Sequence, residues 1–165
     1  MPSYKTIEWK SDALVLLDQR LLPQEVRYVE LRNPQEVAAA IRDMTVRGAP
    51  AIGAAAAYGL ALAAQTSASS RSTDLLAELD AAADLLKAAG PTAVNLSWAL
   101  ERARDAAIAA APAGVDAIRA AALREAHAIA EEDARANRLI GLNALPLLPD
   151  EVAFIHHCNT GALAT

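Results

Sequence analysis

Residues 33–65 read NPQEVAAAIRDMTVRGAPAIGAAAAYGLALAAQ, and this stretch decides the fold. Asn33 supplies an N-cap, Pro34 stands at the first helical position and Glu36 at the capping-box position, so a helix starts there. Val37, Ala40, Ile41 and Met44 follow at helical spacing and form one apolar stripe. Pro50 is tolerated in the first turn of a second helix, and the run from there to Gln65 is small and apolar on nearly every side. A helix of that kind is surrounded by other helices, which makes it the centre of the domain.

Working outward, Ile7–Trp9 and Ala13–Leu17 flank Lys10-Ser11-Asp12 as a hairpin would, and Glu25–Leu31 alternates like a third strand. Downstream, Thr66–Thr73 is a polar, serine-rich loop, and leucines at 75, 76, 79, 85 and 86 mark a helix that Gly90-Pro91 stops. Further helices are expected over Thr92–Ala111 and from Asp116 to about Leu145, with Pro112-Ala113-Gly114 between them. Pro146–Asp150 is a turn. Glu151–His157 (EVAFIHH) is an almost continuously apolar run of the sort found in a buried parallel strand. A single buried strand cannot satisfy its own backbone, so its sheet is expected outside these residues, and the chain reads as truncated. The expected class is mainly α with a small N-terminal β unit (α+β). Residues 1–145 form one domain (β unit 1–32, helical part 33–145), and residues 146–165 are a linker and the first strand of a further domain.

Composition agrees with helices. Hydrophobic residues make up 54% of the chain, much of it alanine, against two tryptophans, three tyrosines and one phenylalanine. The net charge of −5, with basic residues scattered among acidic ones, leaves no cationic face for a phosphate backbone, so nucleic-acid binding is not expected. The apolar stretch Ala49–Ala64 is interrupted by Gly53, Tyr58 and Gly59 and falls short of a membrane span. One cysteine permits no internal disulfide, and MPSYKTIEWK lacks the apolar core of a signal peptide, so a cytoplasmic location is expected.

Two segments carry chemistry. Arg47-Gly48-Ala49-Pro50 places a guanidinium and a glycine ahead of a helix, where free N–H groups and the helix dipole favour an anion; the alternative is an exposed arginine in a turn. Cys158, directly after the expected strand, opens Cys158-Asn159-Thr160-Gly161 at a place where open α/β sheets bind ligands. An ordinary thiol pKa of about 8.5 suits acid/base work, although a lone cysteine is commonly a small buried hydrophobe. His156 and His157 point to opposite faces of a strand and cannot join Cys158 around one ion, so no metal is expected. His127 reads as a helix-surface residue, Asn95 as a residue engaged in local backbone bonding, and Trp9 and Trp98 as packing residues.

Three blocks together resemble the methylthioribose-1-phosphate isomerase family, relatives of the regulatory subunits of a translation-initiation exchange factor. They are Val46-Arg47-Gly48-Ala49-Pro50-Ala51-Ile52-Gly53, Pro91-Thr92-Ala93-Val94-Asn95-Leu96 and His157-Cys158-Asn159-Thr160-Gly161-Ala162-Leu163-Ala164-Thr165. Ile7-Glu8-Trp9 and Leu17-Asp18-Gln19-Arg20-Leu21-Leu22-Pro23 are similar to the family's start. The resemblance implies an aldose–ketose isomerase of methionine salvage that uses no cofactor and forms a homodimer. Its substrate would be a small sugar phosphate, with Cys158 catalytic, Arg47, Gly48 and Ala49 binding substrate, and a partner aspartate in a Rossmann-like C-terminal domain. Two positions depart from the pattern. Gly90 stands where the family usually has arginine, and His156 replaces a small polar residue. Gly90 keeps open a different pentose 1-phosphate, such as ribose 1,5-bisphosphate or a 5-deoxypentose 1-phosphate. A non-enzymatic regulatory subunit is the remaining alternative, and the Cys158 run argues against it.

Overall fold

The structure, a computed structural model, describes residues 4–157 and 161–164. Three antiparallel strands, β1 (Ile7–Lys10), β2 (Ala13–Leu17) and β3 (Tyr28–Leu31), lie in the order β1-β2-β3. Ser11 and Asp12 both take positive φ (52° and 59°), the two-residue turn whose twist suits a hairpin. Leu14 and Leu16, on one face of the central strand, are fully buried and turn the sheet toward the helices. β3 is shorter than the alternation at 25–31 implies. The Glu25 N–H donates to Leu21 O at 3.0 Å and Arg27 O accepts from Asp18 N–H at 2.8 Å, so this backbone closes a turn before the ladder begins.

Asp18 anchors that turn. Its buried carboxylate accepts from the Arg20 guanidinium at 2.7 and 2.8 Å and from the Arg20 backbone N–H at 3.1 Å. The hydrogen bonds from Arg20 hold its pKa below the usual aspartate range, against a smaller opposing effect of burial. A carboxyl whose pKa is depressed on folding adds stability above its unfolded-state pKa and loses it as the pH falls through the folded value. Asp18→Asn is therefore expected to lower Tm by about 2–4 °C at neutral pH, with the difference from the parent shrinking in acid, as thermal melts across pH will read.

Helix α1 (Pro34–Arg42) begins as expected, with the Asn33 side chain accepting from Glu36 N–H at 2.9 Å. Glu36 reaches back to Arg32 N–H at 2.5 Å, one residue before the cap. The stripe ends at Ile41: Met44 has φ 64° and is 58% exposed, because the chain turns back through a left-handed residue after Asp43. Four longer helices follow, α2 (Ala49–Thr66), α3 (Ser72–Ala89), α4 (Val94–Ala110) and α5 (Val115–Ala144). Every residue from Gly53 to Ala64 is buried, and α2 packs against all four other helices and against the sheet. Small residues make those approaches possible. A Cβ on Gly59 would sit 3.0 Å from the Leu86 methyls and 3.1 Å from Val37, which is tighter than ordinary side-chain contact.

Buried positions in α5 stop at Ile129, while Leu139, Ile140, Leu142 and Leu145 are exposed. The expected strand at 151–157 is not formed: it pairs with no strand among the described residues, and Val152, Phe154 and Ile155 are exposed. The physical reason is the one that made the segment unusual in sequence, since a strand needs a neighbour for its backbone groups. The apolar surface from Leu139 to Ile155 is expected to drive concentration-dependent association of the 165-residue chain. Light scattering will show it, and Ile140→Lys with Phe154→Lys will reduce it. No helix among the described residues is long and apolar enough to cross a membrane.

Candidate functional site

Cys158 lies outside the described residues, but residues 161–164 of the same block are described, and they return to the start of α2. Ala164 O accepts the Ala51 N–H at 3.0 Å, and a Cβ on Gly48 would stand 2.7 Å from Ala164 Cα. Gly48 has φ 91° and ψ 134°, a conformation open to glycine and costly for other residues. The second block meets the same helix one turn on, where a Cβ on Gly53 would lie 3.0 Å from Asn95 O. Segments separated by more than a hundred residues of chain thus share one end of α2.

The helix start at Arg47-Gly48-Ala49-Pro50, where an anion site is expected, offers fewer open N–H groups than a bare helix start. Pro50 has no N–H, Ala51 donates to Ala164 O, and Ile52 donates to Gly48 O at 2.9 Å. Ala49 alone in the first turn donates to no carbonyl among the described residues. Arg47 is exposed and makes no ion pair among the described residues, unlike Arg20, Arg102 and Arg104, which are tied to carboxylates. A guanidinium with no carboxylate partner among the described residues has the donor geometry to pair with a phosphate.

Beside Pro50 runs a groove of about 500 Å³ lined by Gly53, Val94, Asn95, Trp98, Ile129 and Glu132. Asn95 does not bond locally as the sequence suggested. Its half-buried amide has no hydrogen bond among the described residues and lines this groove. Trp98 is 49% exposed at the groove's lip, with the Arg102 guanidinium 5.4 Å from its ring centroid, so it is more than a packing residue. Arg102 in turn pairs with Glu125 and Glu132, joining α4 to α5.

On the sheet side, His127 is no free surface residue. Its Nδ1 lies 2.9 Å from the Tyr58 hydroxyl, and Tyr58 stacks on Trp9 with ring centroids 5.6 Å apart. Burial, with a lesser contribution from the Glu131 charge, pushes the Tyr58 phenol up to about 12, so it stays protonated at neutral pH. A cleft beside this cluster is bounded by Lys5, Glu8, Glu131 and Ala162. Nothing in the periodicity of α5 could have paired His127 with Tyr58, since the pair depends on how two helices cross.

A family model described as the initiation factor 2 subunit family matches residues 45–165. The chain belongs to this family. Across all 165 residues it is 53% identical to a methylthioribose-1-phosphate isomerase of Synechococcus sp. and 48% identical to methylthioribose-1-phosphate isomerase 2 of Pseudothermotoga lettingae, covering 47% of each. The chain thus spans about half the length of the curated relatives it matches. Among solved structures, the 5-methylthioribose 1-phosphate isomerase from Pyrococcus horikoshii superposes with a TM-score of 0.91 at 43% identity, covering 98% of this chain and 45% of that one. The translation initiation factor eIF-2B subunit delta from A. fulgidus gives 0.89 at 44%, covering 99% of this chain and 47% of that one. The initiation factor 2 subunit family fold is therefore shown, with both named kinds of relative sharing it almost equally.

Proposed function

We propose that this chain is the amino-terminal half of an aldose–ketose isomerase that converts 5-methylthioribose 1-phosphate into 5-methylthioribulose 1-phosphate. The convergence of the three blocks on the start of α2 carries the reading, together with the isomerase names of the curated relatives. Arg47, Gly48 and Ala49 bind the sugar phosphate, the arginine through its guanidinium and the other two through close backbone approach. Phosphate on the anomeric oxygen prevents ring opening by the hemiacetal route. An acid must protonate the ring oxygen as its bond to C1 breaks, the hydrogen on C2 moves to C1, and the C2 hydroxyl gives up its proton to become the ketone. Cys158 and an aspartate in a following Rossmann-like domain share these proton transfers. Residues 146–165 lead into that domain, and the whole protein is a cytoplasmic homodimer in methionine salvage.

The test is turnover. The protein completed to its relatives' length is expected to form the ketose phosphate from methylthioribose 1-phosphate without added cofactor, and the 165-residue chain alone is expected not to. A complete protein that binds but never converts the sugar phosphate would move the chain to the regulatory-subunit reading. Gly90 supports one variation. It is packed, with a Cβ there meeting Leu96 Cδ1 at 3.2 Å and Ile41 Cγ2 at 3.4 Å, and it leaves no cation where the isomerase pattern has arginine. A panel including ribose 1,5-bisphosphate and a 5-deoxypentose 1-phosphate separates the substrates.

A further inference from the structure

The carbonyls of Ala162, Leu163 and Ala164 are taken one after another by donors from three separate parts of the chain. The Thr6 hydroxyl donates to Ala162 O in a short hydrogen bond, Gln19 Nε2 donates to Leu163 O at 2.8 Å, and the Ala51 N–H donates to Ala164 O. Thr6 and Gln19 are 4% and 8% exposed, and neither side chain has another hydrogen-bond partner among the described residues. Both are fixed through their backbones: Thr6 O accepts from Leu17 N–H at 3.0 Å, and Gln19 N–H donates to Thr45 O at 3.0 Å. Gln19 therefore grips two segments at once, the turn at 161–164 with its side chain and the residue two before Arg47 with its backbone.

Holding this turn contributes little to the core, because Ala164 is the one residue of 161–164 that is buried. Two buried polar side chains spent on a segment with so little apolar surface serve placement more than stability. We infer that Thr6 and Gln19 are positioning residues that clamp the 161–164 turn onto the start of α2 and thereby fix the backbone of Arg47–Ala49 in the geometry that receives the sugar phosphate. This rests on the substrate-binding role proposed for Arg47–Ala49. Without the clamp, Ala164 leaves Gly48, the Ala51 N–H loses its acceptor, and the binding backbone is free to move.

The experiment has two arms, using Thr6→Val, Gln19→Leu and the conservative Thr6→Ser. In the complete protein, Thr6→Val and Gln19→Leu are each expected to raise KM for methylthioribose 1-phosphate by about fivefold or more, while Thr6→Ser stays within about twofold of the parent. A purely structural defect reduces the amount of folded enzyme, which lowers apparent kcat and leaves KM alone. In the 165-residue chain, hydrogen exchange of the Ala51 amide is expected to quicken in the first two variants and not in the third. Faster exchange with unchanged KM overturns the positioning role and leaves the isomerase reading standing. Unchanged exchange overturns the clamp itself. No turnover by the complete parent protein, or an Arg47→Ala variant with unchanged KM, removes the reading on which the inference rests.

Discussion

Gly48→Ala is expected to destabilise the domain by about 3 kcal/mol, combining backbone strain at positive φ with overpacking. The new methyl group would stand 2.7 Å from both Cα and Cβ of Ala164, and backbone atoms cannot rotate away as a flexible side chain would. Two responses are open. The turn at 161–164 can stay docked while the start of α2 shifts, which disturbs the first turn of a helix buried from Gly53 to Ala64. Alternatively, the turn can detach, which relieves the overpacking but gives up the bonds from Thr6, Gln19 and Ala51 and keeps the strain at residue 48. Thermal melts are expected to fall by about 6–12 °C in either case, since about 1 kcal/mol per lost hydrogen bond offsets the relieved overpacking. Exchange of the Ala51 amide separates the two, since it quickens only where Ala164 O has been lost. A variant melting within about 1 °C of the parent would mean that residues 48 and 164 do not pack against each other.

How much of this was legible beforehand follows the range of each signal. The caps at Asn33, the proline near the start of α2 and the break at Gly90-Pro91 act within a few residues, and the helices begin and end close to where those signals put them. The all-round small, apolar character of 50–65 correctly marked the central helix, because a helix with no polar face has nowhere else to go. Met44 broke the stripe because a left-handed residue closes α1, a conformation that helical periodicity does not register. Residues 151–157 carry the apolar run of a strand, but strand formation depends on a neighbour that periodicity does not supply. The candidate site was legible in its parts and not in its assembly. Arg47-Gly48-Ala49 could be singled out from helix-start chemistry, yet Ala164 O occupying the Ala51 N–H is a contact across 113 residues of chain that no local rule foresees. Thr6 and Gln19 look like any threonine and glutamine in sequence. The one hint was that Gln19 falls in the opening Leu17–Pro23 stretch resembling the isomerases, and its bonds to both Thr45 and Leu163 give that resemblance a physical content.

In the complete protein, Cys158→Ser is expected to lower kcat by about 10²–10⁴-fold, the usual contribution of a placed acid/base group. The substitution keeps the shape of the side chain and replaces a thiol, with an ordinary pKa of about 8.5, by an alcohol that does not ionise near neutrality. If the thiol moves a proton during ring opening or the C2-to-C1 hydrogen shift, this alone is enough to slow the step. KM should change far less than kcat on the proposed assignment of phosphate binding to Arg47, Gly48 and Ala49, which the substitution leaves intact. Cys158 is the single cysteine of the 165 residues, so an alkylating reagent applied to this chain reads that group alone. In the complete parent enzyme, substrate should protect the thiol from alkylation, and the pH dependence of inactivation should follow the same ionisation as the pH dependence of turnover. A serine variant retaining kcat within about tenfold would remove Cys158 from the chemistry, since a loss that small is below what acid/base catalysis by one residue supplies. The sugar-phosphate contacts proposed for Arg47, Gly48 and Ala49 would stand independently of that result, since they do not involve the thiol.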